Sequence, residues 1–331
     1  METVELRLDE IEDLARSVFE RNGCDADNAN ALARTVTTAE RDGSVSHGLI
    51  RIPGYVASLR SGKVNGAAVP KIFNRTPAII SANGDNGYAP LAIERGIPKL
   101  AKAAKQLGVA VMALTHSHHF AALWPEVEAL ADHGLVGLAC VNYTPAVGPY
   151  GSRQPLFGTN PMAFAWSRLN KPPVVFDMAT ASMAIGDVKI AARDGHAVPS
   201  GTCLDKEGND TTDPNAILDG VLLPFGGHKG SAIALMVELL AAGAIGERFS
   251  YEAAEADNGD GGHPRGGEIF LALSPDLLAG RDWQTHSEKF LRKFEAADGA
   301  RLPGQRRHRM RISDQMRLVN TALLENTHAL K

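Results

Sequence analysis

Cysteine is scarce in this chain. Three residues, Cys24, Cys140 and Cys203, stand far apart, odd in number and without CxxC spacing. They form neither a disulfide framework nor a zinc knuckle, and free thiols in a reducing compartment are expected. A long hydrophobic run is also missing. The longest apolar stretch, residues 231–245, contains Glu238 and is shorter than the roughly 20 residues that span a bilayer; a buried helix over 228–245 is the expectation. The N-terminus METVELRLDEIEDLARSVFE is acidic and amphipathic rather than basic then apolar, so no signal peptide is read and a cytoplasmic location without membrane attachment is expected. The formal charge of −4 supplies no general attraction to phosphate backbones, so no nucleic-acid partner is expected. No GxGxxG follows a strand and opens a helix anywhere, which argues against a standard Rossmann domain.

What is present is ordinary globular composition, 44% apolar and 22% charged, with an excess of glycine. Thirty-three glycines in 331 residues exceed the usual share of roughly 7%, as tight turns or close backbone–ligand approach require. Residues 1–45 predict two helices, the second capped by Asp25, and a third starts near Pro53 and ends at Ser61-Gly62. From residue 78 short apolar runs alternate with helical segments: strands at 78–81, 109–114, 135–142, 162–166, 174–176 and 269–273, and helices over 90–106, 122–133 and 181–193. That alternation predicts an α/β arrangement. The division expected is a helical N-terminal region over 1–75 contributing to the substrate site, an α/β core over 76–250 that binds cofactor and substrate, and a C-terminal loop, strand and helices over 251–331 packing back on the core. The polar, glycine-rich stretch 253–267 reads as a mobile surface loop or a flap.

Several clusters carry chemistry, each with a plainer alternative. Ser46, His47 and Arg51 fall within six residues; a histidine can pass a proton and an arginine can hold a carboxylate in its planar fork. Without further support, a surface histidine beside a solvated arginine is the plainer reading. His116, His118 and His119 end a strand candidate, but adjacent residues on a strand point to opposite sides and no HExxH is present, so a pocket-lining loop is favoured over a metal site and no metal is assigned. A metal-dependent hydrolase would need those three ligands. Thr159 and Asn160 follow a loop and could donate to a ligand; Asp177 ends a strand candidate. Asp187 lies on the expected apolar face of a helix, where a buried carboxylate needs a partner, unless it is a surface or helix-dipole aspartate. Gly226-Gly227 feeds a helix N-terminus where Lys229 adds charge, a phosphate cradle or a simple helix start. Arg306, Arg307, Arg309 and Arg311 form a solvated helix start or a small patch for dinucleotide phosphates.

Taken in order, SHGLIRIPGY, SHHFAALWPEVE, GSRQPLFGTNPMAF, FDMATASMAIGDV, LLPFGGHKGSA and RLPGQRR make the chain resemble the type-2 malate/L-lactate dehydrogenase family, over most of its length. The resemblance implies an α/β, non-Rossmann fold with a helical N-terminal region, and a homodimer. The HHFAALWPEVE segment is similar to the branch that reduces Δ1-piperideine-2-carboxylate and Δ1-pyrroline-2-carboxylate to pipecolate and proline, serving proline metabolism and lysine degradation. The alternative is a 2-hydroxy acid dehydrogenase of the same family. The resemblance further implies a relay of Ser46, His47 and Asp187, with Asp187 favouring a charged His47, and substrate held by Arg51 and Thr159. NADPH, with NADH as the alternative, would touch His119, Phe120, Ala121, Ala122 and Leu123; Asp177, Met178 and Ala179; Gly227, His228 and Lys229; and Arg301, Pro303, Gly304, Arg306 and Arg307.

Overall fold

In the computed structural model, which describes residues 2–119, 121–312 and 315–331, the N-terminal layer forms as its apolar spacing predicts. Ile11, Leu14, Val18 and Phe19 share the buried face of α1 (Leu8–Arg21). Helix α2 (Ala26–Arg41) starts at Asp25, whose side chain accepts from Asn28 N at 2.9 Å, a cap worth about 1 kcal/mol. Helix α3 (Ile52–Arg60) has Pro53 in its first turn, where its missing N–H costs nothing. One strand precedes them unforeseen: β1 (Thr3–Arg7), paired antiparallel with β11 (Met316–Asn320). Four of its five residues are exposed, so no burial alternation marks it, and its partner lies at the far end of the chain.

Seven strands form the central sheet in the order β2-β3-β4-β10-β5-β6-β7: β2 (Lys71–Thr76), β3 (Ile79–Tyr88), β4 (Val109–His118), β5 (Val136–Val141), β6 (Met162–Arg168), β7 (Lys171–Met178) and β10 (Arg265–Leu273). A separate two-stranded ribbon pairs β8 (Cys203–Leu204) with β9 (Val221–Leu222). The edge strand β2 is almost wholly exposed, which is why its sequence carries no strand signal. Only β3 and β4 run parallel, joined through α4 (Ala89–Leu107); every other neighbouring pair in this sheet is antiparallel. The fold is therefore mixed α/β and lacks the successive parallel crossovers of a Rossmann domain. Strand β10, from the last quarter of the chain, is the middle strand and buries Phe270 and Ala272 completely.

Helices α4 and α5 (Trp124–Asp132) cover one face of the sheet, packing Leu100, Val127 and Leu130 against Leu114 and Phe270. Beyond the sheet lie α6 (Ile185–Asp194), α7 (Pro214–Leu218) and α8 (His228–Glu238), which continues into a wider turn over Leu239–Gly243. The expectation of a buried helix over 228–245 needs correction. Ala234 and Val237 are buried, but Leu235 is 48%, Met236 39% and Leu239 52% exposed, since an apolar run does not say what covers each face. The 253–267 stretch also differs from a mobile loop: it starts in a short helix, Ser250–Glu255, ends in β10, and is tied down between them by Lys63 Nζ, 2.8 Å from Asp257 and 2.6 Å from Asp260. Among the described residues no helix is long and apolar enough to cross a membrane.

Candidate active site

The chain leaves α2 and turns twice, over Val45–His47 and Leu49–Arg51, before entering α3. Gly48 permits this: a Cβ there would overlap the Glu40 carboxyl group, whose Oε1 accepts from Leu49 N at 2.8 Å. The buried Glu40 thus pins the turn from beneath. On it, Ser46 Oγ and His47 Nδ1 are hydrogen-bonded at 3.0 Å, and Arg51 Nε donates to Ser46 O at 2.8 Å. Ser46, His47 and Arg51 are one connected unit, which rejects the reading of a surface histidine beside a solvated arginine.

They form one side of a cavity of about 570 Å³, within the range of small-ligand sites. Opposite is the first turn of α6, where a Cβ on Gly186 would lie 3.4 Å from Ser46 Cβ and 3.8 Å from Arg51 Nη2. Asp187 lines the cavity here, but it is exposed; the buried face of α6 is Val188 and Ala191. The helix begins at Ile185 rather than 181, which puts Asp187 in a solvent-open first turn and not on an apolar face. Its carboxylate makes no hydrogen bond to His47, whose Nδ1 is engaged by Ser46. Against the expected charged His47, burial first, then the positive charges of Arg51 and His119, pull its pKa down to about 3 and favour the neutral ring. Burial and Arg51, joined to the same turn, outweigh the exposed carboxylate of Asp187.

A third wall comes from the loop after β4 and the end of β7. His119, Ala121, Ala122 and Leu123 line the cavity, as do Asp177, Met178 and Ala179; Phe120 lies outside the described residues. Asp177 Oδ2 accepts from Leu123 N at 2.8 Å and Trp124 N at 3.1 Å, so it caps α5. Burial raises its pKa, opposed by those two N–H donors and by the charges of Arg307 and His119. The Trp124 and His47 rings meet edge to face at 6.4 Å; Trp124 donates from Nε1 to Asp42 at 2.8 Å and carries the Arg307 guanidinium 5.0 Å above its ring. Thr159 lines the cavity, whereas Asn160 is spent on structure, donating to Glu238 Oε1 at 2.8 Å and Ala234 O at 3.1 Å.

The C-terminal residues divide. Arg306 and Arg307 line the cavity; Arg307 Nη2 donates to Val175 O at 3.2 Å and its buried Nε has no partner. Arg301 is exposed, Pro303 borders a neighbouring groove, and Gly304 packs its backbone on Val175. Gly227, His228 and Lys229 lie outside the cavity wall: the latter two are exposed, and His228 stacks edge-on against Tyr150. His116, His118 and His119 do not converge. His118 donates from Nδ1 to His263 O at 3.0 Å, His119 bonds Ala121 O through Nε2 at 3.0 Å, and half the His116 side chain faces solvent. Among the described residues no three His, Cys, Asp or Glu side chains are grouped to hold a metal. Tyr143, Pro161 and His263 also line the cavity and were missed; the GGHPRGG stretch looked like a loop, and only a histidine among its glycines marked it.

Fold and site together define an α/β protein outside the Rossmann class, with a ligand cavity walled on one side by the Ser46–His47–Arg51 unit. The chain belongs to the malate/L-lactate dehydrogenase family, whose profile matches residues 6–320. It is 46% identical over 297 residues to a Δ1-pyrroline-2-carboxylate/Δ1-piperideine-2-carboxylate reductase of Pseudomonas syringae pv. tomato, covering 89% of this chain and 87% of the relative. A Δ1-pyrroline-2-carboxylate reductase of Pseudomonas fluorescens is 42% identical, with 99% of both chains covered. Among solved structures, the Δ1-piperideine-2-carboxylate reductase of P. syringae superposes with a TM-score of 0.94 at 43% identity over the whole of both chains. A sulfolactate dehydrogenase of Methanocaldococcus jannaschii does so at 0.88 and 28%, covering 99% of this chain and 96% of its own.

Proposed function

We propose that the protein reduces the C=N bond of a cyclic 2-imino acid, Δ1-pyrroline-2-carboxylate or Δ1-piperideine-2-carboxylate, with NADPH as reductant. The observation that carries this reading is the joining of Arg51 and the neutral His47 through Ser46 at one end of the cavity. The reductase names of relatives at 41–46% identity narrow the substrate. Arg51 takes the carboxylate with its free guanidinium edge, and Thr159 adds a hydrogen bond. His47 meets the ring nitrogen and manages its proton through Nε2 while Ser46 fixes Nδ1. Seating a carboxylate on Arg51 offsets one of the positive charges that, after burial, lower the His47 pKa, so bound substrate favours protonation of His47. Asp187, on the cavity wall in the first turn of α6, would complete the relay with Ser46 and His47.

A dinucleotide fits the remaining wall. The Arg307 Nε without a partner and the neighbouring Arg306 suit phosphates, and the small side chains of Ala121 and Ala122 allow close approach. Bound there, the nicotinamide supplies hydride to the substrate's C2. The pair of arginines beside the cavity supports NADPH over NADH. The exposed apolar side of α8 and the turn that continues it, Leu235, Met236 and Leu239, supports a homodimer, and the protein acts in the cytoplasm, in proline metabolism and lysine degradation.

The test follows NADPH and NADH oxidation with both cyclic imines, pyruvate and oxaloacetate in parallel. Faster turnover of the imines supports the reading. Preference for the open-chain keto acids makes the protein a 2-hydroxy acid dehydrogenase instead.

A further inference from the structure

The acidic, glycine-rich segment before β10 is clamped onto the end of α3. Lys63 reaches both Asp257 and Asp260; Ser61 Oγ donates to Asp260 Oδ2 at 2.7 Å, and Gly262 N donates to Asp260 Oδ1 at 2.8 Å. A Cβ on Gly262 would overlap Ser58 Oγ, so only glycine lets the backbone lie this close. One residue further on, His263 is carried into the cavity wall, 8% exposed. Its ring packs 5.0 Å from that of Tyr55 and 5.4 Å from that of Tyr143. Tyr55 in turn accepts from Ala121 N at 3.1 Å, so the same aromatic group fixes the loop after β4.

The polar edges of this ring are unequal. Nδ1 is buried with no hydrogen-bond partner, and the ring lines the cavity, so Nε2 is the edge left to meet a ligand. The groups around it are Arg51, His47, His119 and Lys189, with the phenols of Tyr55 and Tyr143. Burial, with the positive charges of Arg51 and Lys189 beside it, pushes the His263 pKa well below its ordinary value and keeps the ring neutral. A neutral donor beside Arg51 can bond an anion without adding another buried charge.

We propose that His263 is a substrate-binding residue, donating from Nε2 to the carboxylate held by Arg51, and that the Lys63–Asp257–Asp260 clamp positions it. This rests on the reading of the substrate as a small ring bearing a 2-carboxylate. The clamp gives the acidic, glycine-rich segment a use: it is the arm that delivers the histidine to the cavity wall.

The test uses the full-length protein with NADP+ and the variants H263A, H263Q and D260N. Calorimetry gives the Kd of 1-cyclopentene-1-carboxylate, which has the ring and the carboxylate but no C=N bond, and steady-state kinetics with NADPH gives KM and kcat for Δ1-pyrroline-2-carboxylate. Loss of one hydrogen bond to a charged group predicts about a 10- to 100-fold rise in both Kd and KM for H263A, with kcat changed far less. H263Q, whose amide nitrogen can reach the position of Nε2, recovers most of the affinity, and D260N weakens both constants in the same direction with His263 intact. An unchanged Kd in H263A, or in D260N and H263Q together should H263A fail to fold, overturns the proposal. So does a loss confined to the imine, because it would place His263 on the ring nitrogen. Because Kd is read without turnover, a wild type that binds the ring acid but reduces no imine refutes the proposed reaction and leaves the role of His263 to be decided by the same titrations.

Discussion

Glu40 offers a quantitative check on how the catalytic turn is held. Its side chain is buried, it accepts from Leu49 N, and burial raises its pKa from the ordinary 4.5 to about 7, against the opposing effects of that N–H and of Arg317. A carboxyl group whose folded-state pKa is raised binds its proton more tightly in the native state than in the unfolded chain. Its contribution to stability is therefore full below the unfolded pKa, falls as pH rises, and is lost once pH passes about 7. A shift of this size corresponds to about 3 kcal/mol at about 1.4 kcal/mol per pH unit. Glu40→Gln removes the titration and keeps an oxygen to accept from Leu49 N. The difference in unfolding free energy, wild type minus variant, should fall by about 3 kcal/mol between pH 4.5 and 8, and most of that fall should lie below pH 7.5. Urea unfolding at fixed protein concentration across that range measures it, because other titrating groups cancel in the difference. A flat difference would refute the account of Glu40 as a neutral buried pin. Turnover at pH 6 should survive the substitution, since the turn keeps its anchor.

Three further outcomes are expected. Arg51→Lys keeps a positive charge but loses both the planar fork and the Nε bond to Ser46 O, so KM for the imino acid should rise about 10- to 100-fold, or about 1.4 to 2.7 kcal/mol; an unchanged KM would remove Arg51 from the substrate site. Asp177→Ala strips the cap from α5 and should cost about 1 to 2 kcal/mol in chemical denaturation, together with a raised KM for the dinucleotide; a stable variant would show that the two N–H groups find other partners. For the proton relay, Asp187→Asn should lower kcat for keto acids more than for imines, because an iminium already carries its proton; equal losses would argue against that division of labour.

Much of the architecture was legible because local patterns agree with it. The spacing of Ile11, Leu14, Val18 and Phe19 marks α1, Asp25 caps α2, and the missing GxGxxG excluded the Rossmann arrangement that the sheet indeed lacks. The closeness of Ser46, His47 and Arg51 in sequence made their cluster readable, since two consecutive tight turns keep them together in space. Strands β1 and β2 escaped notice because exposed edge strands carry no burial pattern.

The sequence alone determined the helical layer, the α/β class and the identity of the chemically capable residues, because these depend on interactions between near neighbours. Tertiary structure decided the rest. That β10 enters the sheet between β4 and β5, that His263 reaches the cavity from a glycine-rich arm, that Asp187 faces solvent, and that His47 is neutral all depend on contacts between distant segments. A side chain's charge and exposure are set by what the fold brings beside it, and no local pattern encodes that neighbour.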